Sequence, residues 1–467
     1  MKQTTLFLIL AVFVSGCAIG PRYREPKMEL PQSYRSYKTV EQGEAMVNMP
    51  WWKVFNDQTL QELIRETLAN NYDLRAAAAR VDEARAQVGV TRSQIMPHTD
   101  LTSSVSRDRN SKDLYPWLEP LTSTYTGGFN TAWEVDLWGK IRQSIRASKA
   151  EFLATEDARR GVMVTLVADA AQTYFTILEL DLELDIATKT LKTRSDNLDL
   201  FRKRFQGGTA SGLEVARAEA DYQQTAANIP EIERQIAIQE NKLSALLGRN
   251  PGPIQRTATL DKQSFVPAMP GSGLPSEVLK RRPDIMGAEQ MVRAANATVG
   301  VKVDEFLPLV NLNNFVGGAG ERPSKVFDSD GYTWTIGGDV KMPLFQGGKN
   351  VYNYKAAKAQ WQQSVAYYKQ TVVTAFHEVA DALVGIEKIK KVREEQEKQV
   401  EALKESAKLS LSRYDAGLSS YIEVLDADQQ YYSAQTSLAK TQGSQLIYYV
   451  QLYRALGGGW QPEETKK

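Results

Sequence analysis

The chain has one cysteine and two histidines in 467 residues. A single thiol excludes an intramolecular disulfide. His98 and His377 lie far apart in sequence, so neither a classical zinc site nor a Ser-His site is expected. An excess of either charge is also missing: 57 Lys and Arg against 56 Asp and Glu give +1. That balance leaves no electrostatic footprint for nucleic acid. Long hydrophobic runs are scarce, and the mean hydropathy is −0.40. A polytopic α-helical membrane protein is thereby excluded, but a β-barrel is not, because barrel strands alternate apolar and polar residues. The ten methionines do not cluster, so no soft-metal relay is visible. Gly207-Gly208 does not precede a Lys-Ser/Thr phosphate loop. Gly317-Gly318 and Gly320 lead into a polar loop, not a helix. With no catalytic constellation, an enzyme is not expected, and neither is a metal or a dissociable cofactor. His98, beside Pro97, reads as structural, and His377 as a hydrogen-bonder between helices.

The N-terminus does carry a signal. Lys2 is followed by an apolar run from Leu6 to Val14, too short to span ~30 Å of hydrocarbon as a helix. It ends in Val14-Ser15-Gly16-Cys17. A small residue before a cysteine after such a run is a bacterial lipoprotein pattern, with cleavage before Cys17 and lipid on its thiol. Ala18 follows, not the aspartate of inner-membrane retention, so the expected destination is the outer membrane. Two or three acyl chains anchor far better than one.

The chain is two copies of one plan. Arg204-Phe205-Gln206-Gly207-Gly208 aligns with Arg413-Tyr414-Asp415-Ala416-Gly417, 209 positions on. The same offset pairs Ser211 with Ser420, Leu213 with Ile422, Glu214 with Glu423 and Tyr222 with Tyr431. Earlier the offset is 211, matching Val88-Gly89-Val90 to Val299-Gly300-Val301 and Pro97 to Pro308.

Each half reads as helix, strand, strand, very long helix, turn, long helix. Leu166, Ala170, Thr173, Ile177, Leu180, Leu184, Ala187, Leu191, Arg194, Leu198, Phe201 and Phe205 are spaced alternately four and three, the coiled-coil period. A helix of about 65 residues at ~1.5 Å each is ~100 Å long. It ends at Gly207-Gly208-Thr209-Ala210-Ser211, with glycine for the C-cap and a hydroxyl for the next N-cap. Pro230 inside the return helix is expected to kink it. The second half turns at Ala416-Gly417-Leu418-Ser419-Ser420.

Phe129, Thr131, Trp133, Val135 and Leu137 share one strand face, against Asn130, Ala132, Glu134 and Asp136 on the other. Trp334, Ile336, Gly338, Val340 and Met342 do the same in the second half, against Thr335, Gly337, Asp339 and Lys341. A soluble sandwich shows the same alternation. The lipid signal and the long helices favour a membrane barrel, apolar outside and polar inside. Four strands cannot close one, and open edges cannot sit in lipid. Three copies would supply twelve strands.

The expected organisation is a signal peptide over 1–16 and an extended segment over 17–57. A first repeat covers 58–250, with strands near 99–107 and 125–137 and a tip at 207–211. A linker follows over 251–275. A second repeat covers 276–458, with strands near 309–317 and 332–343 and a tip at 416–420, before a tail over 459–467.

Taken in order, several motifs resemble the outer-membrane efflux factor family, the exit ducts of tripartite pumps, and its lipoprotein members in particular. They are Cys17; Trp51-Trp52 with Phe55 and Asp57; Trp133-Glu134-Val135-Asp136-Leu137-Trp138-Gly139-Lys140; Arg281-Arg282-Pro283-Asp284-Ile285; Pro343-Leu344-Phe345; and the repeated tip motif. The resemblance covers nearly the whole mature chain. It implies a mixed α and β fold: a homotrimeric twelve-stranded barrel in outer-membrane lipid, continued by a coiled-coil periplasmic tunnel. A mixed belt would come from Cys17–Asp57, Pro251–Pro275 and the tail.

The resemblance also implies partners and roles. The duct would passively take drugs or other small toxic compounds from an inner-membrane RND-type transporter through a periplasmic adaptor. Metal-cation export stays open, because the pump chooses the cargo. A periplasmic adaptor lipoprotein is the competing class, but it would carry one helical hairpin, not two with amphipathic strand pairs. Glu423 and Asp426, three apart on one helical face, match the acidic constriction at the entrance. Glu214 and Tyr414 match positions that lock neighbouring coils in the closed state of some members. Ser419 stands where one member has an arginine in that lock. The tips, Arg204, Phe205, Gly208, Thr209 and Ser211 with Arg413, Gly417, Leu418 and Ser420, are the expected docking points for the adaptor.

Overall fold

A computed structural model describes residues 19–29, 57–114, 116–117, 119–257, 259–260 and 275–460. Cys17, Trp51-Trp52, Phe55 and most of the proposed belt lie outside the described residues. The rest forms two compact units, taken in turn below.

The first unit holds the described residues of 19–27, Ala79–Glu156 and Gly287–Lys369. Its centre is a four-stranded sheet of β1 (His98–Arg109), β2 (Leu121–Glu134), β3 (Leu309–Gly320) and β4 (Tyr332–Lys341). The strands lie in sequence order and every pairing is antiparallel. One hairpin comes from each repeat, and β2 against β3 joins them. The register lines up Leu101, Phe129, Val316 and Trp334 as one row across all four strands. The neighbouring row is Asp100, Asn130, Phe315 and Thr335, on the opposite face. The apolar face is bare: Leu101 and Ile336 are each 75% exposed, and Val105, Phe129, Trp334 and Val340 are exposed with them. The other face satisfies itself with polar bonds, including Asn311 and Asn313 to Asp339 at 3.1 and 3.0 Å.

Gly128 and Gly317 are directly opposed. A Cβ on either would come within 2.6 Å of the other's Cα, and the Phe315 ring lies 2.9 Å from both positions. The two glycines let β2 and β3 approach, and the aromatic ring covers the gap.

Several strand ends differ from the expected bounds. β2 runs from Leu121 to Glu134 and not over about 125–137. Val135 still donates to Val310 O, but Asp136 has left the sheet. Its carboxylate accepts from the Ile141 and Arg142 amides at 3.0 and 3.1 Å, so it anchors the start of α3 (Lys140–Gln206). Alternation alone could not tell strand from cap at that position. β1 and β3 extend to Arg109 and Gly320, beyond their expected ends near 107 and 317.

The second unit holds the described residues of 28–78, 157–286 and 370–460. It is helical. α1 (Gln58–Asn70) is followed by α2 (Tyr72–Ser93), whose first turns belong here. Asp57 caps α1 by accepting from Leu60 N at 3.1 Å, and Tyr174 OH donates to its other oxygen at 2.9 Å. From α3 the chain turns into α4 (Gly212–Leu246), then α5 (Pro275–Arg281), α6 (Pro283–Asp304), α7 (Lys349–Asp415) and α8 (Tyr421–Ala455). Helix α4 continues without a break through Pro230.

The heptad stripe on α3 is buried at Leu166, Ala170, Thr173, Ile177, Leu180, Ala187, Arg194, Leu198 and Phe201. It emerges at Phe205, the last turn. On α7 the corresponding stripe is buried through Val372, Ala375, Val379, Ala382, Leu383 and Ile386. Beyond it, that helix is laced with exposed pairs such as Lys391–Glu387 and Arg393–Glu397. His377 is exposed on α7, and among the described residues no interhelical bond holds it, contrary to the expectation above. Arg282, from the Arg-Arg-Pro-Asp motif, is buried. It bonds Asp284, Glu378 and the carbonyl of Ala455, tying the start of α6 to α7 and to the end of α8.

Candidate functional site: the paired helical tips

Both turns between long helices have one geometry. Gly208 and Gly417 each sit at φ +73°, where a side chain would be strained. Thr209 N donates to Arg204 O at 2.8 Å, and Leu418 N to Arg413 O at 2.9 Å. Gly208 N to Phe205 O and Gly417 N to Tyr414 O complete the same closing pattern in each. Thr209 Oγ1 also donates to Arg204 O. Arg413 is exposed, and Leu418 is 71% exposed.

The two return helices start differently, although Ser-x-x-Glu opens both. At the first, Ser211 and Glu214 close a full capping box. The Glu214 carboxylate accepts from Ser211 N at 2.6 Å and from Ser211 Oγ at 2.9 Å. Tyr414 OH donates to its other oxygen at 3.0 Å. The Ser211 amide, then the two hydroxyls and the Arg204 charge, hold Glu214 below the usual carboxylate range. At the second, Ser420 makes no side-chain cap bond. Glu423 and Asp426 are both exposed on one face of α8, and Asp426 accepts from Gln430 at 2.7 Å. The duplicated glutamates have thus parted company: Glu214 is bound within the chain, and Glu423 is left to solvent.

The tips are also cross-linked between repeats. Arg204 pairs with Asp415 at 3.0 Å, and its guanidinium lies 5.6 Å from the Tyr414 ring. Ser419, the position expected to correspond to an arginine in one family member, has a buried hydroxyl with no hydrogen-bond partner among the described residues. The cation beside Tyr414 and Glu214 comes from Arg204, on the other repeat. Behind them Phe201, Tyr414 and Tyr421 form a ring cluster with centroids 4.0 to 5.8 Å apart. Leu198, Ala218 and Val424 pack with Phe201 and Tyr421.

Two turns up α3 sits a group that sequence reasoning passed over. Arg194 is 5% exposed. It pairs with Asp221 at 2.9 Å, donates to Asp221 O and Thr225 Oγ1, and reaches Gln429 Oε1 at 2.9 Å. Its guanidinium stands 5.6 Å from the Tyr432 ring. One cation therefore joins α3, α4 and α8. Burial pushes the Asp428 carboxyl up to about 6, with Arg194 pulling the other way and Asp221 adding to the rise. A groove of about 930 Å³ runs alongside, with Arg194, Asp428 and Tyr432 in its wall. The signal was present: Arg194 occupies a core position of the heptad, where a charge must find partners or not be there. Asp415 was likewise visible only as part of an aligned motif.

Among the described residues no group of three or more His, Cys, Asp or Glu side chains is arranged to hold a metal ion.

A family described as Outer membrane efflux protein matches residues 63–249 and again 274–458, one copy on each repeat. The chain is 31% identical to the cation efflux system protein CusC of Escherichia coli O6:H1 over 454 residues, covering 97% of this chain and 98% of that protein. It is 32% identical to the antibiotic efflux pump outer membrane protein ArpC of Pseudomonas putida, covering 98% and 96%. Among solved structures, the outer-membrane channel OprN superposes with a TM-score of 0.88 at 29% identity, covering 96% of this chain and all of that one.

Proposed function

The chain belongs to the outer membrane efflux protein family, and from that premise we propose that it is the exit duct for drugs or other small toxic compounds, fed by an inner-membrane RND-type transporter through a periplasmic adaptor. It is a non-enzymatic outer-membrane efflux channel with a periplasmic helical portion. The observation that carries the duct is the sheet. Leu101, Phe129, Val316 and Trp334 form an apolar row across it, facing away from a hydrogen-bonded polar face. Such a sheet is at rest with lipid on one side and water on the other. Strands β1 and β4 each have one neighbour within the chain, so three copies close a twelve-stranded barrel edge to edge.

Resistance profiling of a strain lacking its own duct, with and without this chain and its cognate pump, tests the cargo. Restored tolerance to antibiotics or solvents supports the reading. Restored tolerance to metal salts alone would replace it with cation export, the activity for which the CusC relative is named.

Cys17 carries the lipid in this reading. Cys17→Ala should abolish labelling by a radioactive fatty acid, while the sheet still inserts through its own apolar face, at lower yield. Label persisting on the variant would remove the anchor from the account.

Glu423 and Asp426 line the entrance. Their exposure and their freedom from the lock that holds Glu214 support that role. Three copies bring six carboxylates toward one axis, a cation-favouring constriction. Replacing both by Ala should weaken cation preference and remove block by divalent cations in a planar bilayer. Yield of the assembled duct should not change, since exposed positions bury little apolar area. Equal reversal potential and equal block in both proteins would place the pair away from the lumen.

A further inference from the structure

Two acids of α3 share one cation. Glu179 and Glu183 stand one turn apart on the same face, flanking the heptad positions Leu180 and Leu184. Glu183 is buried, and its Oε1 is sealed from solvent without a hydrogen-bond partner. Glu179 is half-buried, and its carboxylate lies so close against Gly443 of α8 that a Cβ there would collide with it. Lys440, three residues before Gly443, stands 3.8 Å from Glu183 Oε2 and is itself 59% exposed. The charges around them are committed elsewhere. On α3, Asp181 is held by Arg256 and Asp185 by Lys189. On α4, Glu240 also holds Arg256, and Glu231 pairs with Arg234. On α7, Arg393 bonds Glu397 and Gln445. Tyr432 of α8 borders the same hollow as Glu183 and Lys440, and lies beneath the Arg194 guanidinium. Two carboxylates against one ammonium leave one negative charge too many, which one proton balances. In the second repeat the equivalent positions on α7 are Lys388 and Val392, so the helical hairpin does not require the acids.

We propose that Glu179, Glu183 and Lys440 form a proton-operated latch between α3 and α8, closed in a mildly acidic periplasm and loosened as pH rises past neutrality. Glu183 cannot be hydrated where it stands, so separation of the two helices is what lets water reach it once it ionises. Gly443 makes the contact tight: without a side chain there, the α8 backbone lies directly on the Glu179 carboxylate. On the other side Leu180 packs with Ile232 and Ile236 of α4, so α3 stays seated when its α8 face opens. Helix α8 begins at the second tip, with Glu423 and Asp426 in its first two turns. Slack along α3 therefore passes to the helix that carries the entrance, a link that rests on the placement of those two residues proposed above.

The titration falls in the right range. Burial pushes Glu179 up to about 7, the Glu183 charge adds to the rise, and Lys440 opposes it. Burial raises Glu183 as well, with Lys440 again opposing. A folded acid with a raised pKa costs stability above that pKa, and the cost disappears as pH falls through it. For a group near 7 folded and about 4.3 unfolded, the local opening equilibrium should be about tenfold larger at pH 8 than at pH 6.

Hydrogen exchange on the purified, assembled full chain tests the latch, read over 176–187 and 436–446 and corrected for the intrinsic rate at each pH. Wild type should show about tenfold more protection at pH 6 than at pH 8. Glu179→Gln keeps the shape without the charge, and should lose most of that dependence and stay protected at pH 8. Glu179→Gln with Glu183→Gln should lose all of it. Lys440→Met removes the shared cation and should move the midpoint to higher pH. Protection independent of pH in wild type, the same tenfold dependence in the double variant, or a midpoint that Lys440→Met leaves in place overturns the latch. Conductance in a planar bilayer should rise from pH 6 to pH 8 more in wild type than in the double variant. An equal rise in both, with the exchange result intact, would overturn the link to the entrance and leave the latch standing.

Discussion

Replacing Arg194 by Ala should loosen the tip-proximal bundle by about 3 kcal/mol, the low end of what removing one partner of a buried ion pair costs. The mechanism is the charge left behind. Asp221 would keep a buried carboxylate without its cation, and burial already pushes it above the usual range. Asp428, up to about 6 with Arg194 still beside it, would rise further. Thr225 and Gln429 would each lose a donor. The low end applies because the groove beside Arg194 lets water reach the orphaned carboxylates. Hydrogen exchange across 187–225 and 421–432 reads the effect locally, where a melting curve of the whole assembly would blur it. Unchanged protection there would mean that the network stabilises nothing.

The deficit should depend on pH, with a definite sign. An acid whose folded pKa is raised binds protons more readily folded than unfolded. Its cost is present above the folded pKa and disappears as pH falls through it. Asp428 and Asp221 are both raised, so the Arg194→Ala protein should recover protection between pH 8 and pH 5. A deficit that grew on acidification would point to loss of packing against Tyr432 instead of uncompensated charge. Arg194→Met combined with Asp221→Leu removes both charges of the pair and should restore much of the loss, since apolar replacement of a buried pair is often neutral.

The same residue shows where sequence reading reached and where it stopped. The constant offset between repeats carried the fold, because each half had to repeat its helices, strands and turn. The alternation carried the two sheet faces, since a slip of one residue would exchange them. Arg194 was counted into the apolar period by its spacing, and its charge was not asked for partners. Those partners, Asp221 and Gln429, are 27 and 235 residues away, and no periodicity pairs them. Glu183 was silent for a related reason. A carboxylate beside a heptad stripe reads as solvated, and only the packed helices reveal that it is buried. The C-terminal end of β2 was misjudged because Asp136 fits the strand alternation and the helix cap equally well. The divergence of Glu214 from Glu423 was hidden by the very match that revealed the duplication.

Placing a charge at both tips, Thr209→Glu with Leu418→Glu, should reduce export to the level of a strain without the duct. The tips are where the long helices turn and leave apolar side chains in water. Phe205, Leu213, Leu418 and Ile422 are all more than half exposed, and Leu213 and Ile422 are equivalent in the two repeats. Closing such residues against a partner contributes ~1.5–3 kcal/mol for each large side chain. A carboxylate in their midst would have to be desolvated on docking, which opposes it. Neither substitution touches the closing bonds of the turns, which run through backbone groups of Arg204, Arg413, Thr209 and Leu418, apart from the single Thr209 hydroxyl bond. The assembled duct should therefore form in normal amounts and conduct alone in a bilayer. Two similar tips in each of three copies make six sites, and linked sites raise avidity well beyond one contact. Either substitution alone should weaken export partially, and the pair should abolish it. Crosslinking to the adaptor in whole cells, scored beside drug or metal tolerance, separates docking from conduction. Full tolerance with both tips altered would move the adaptor elsewhere on the helices. Lost tolerance with crosslinking intact would instead give the tips a part in gating.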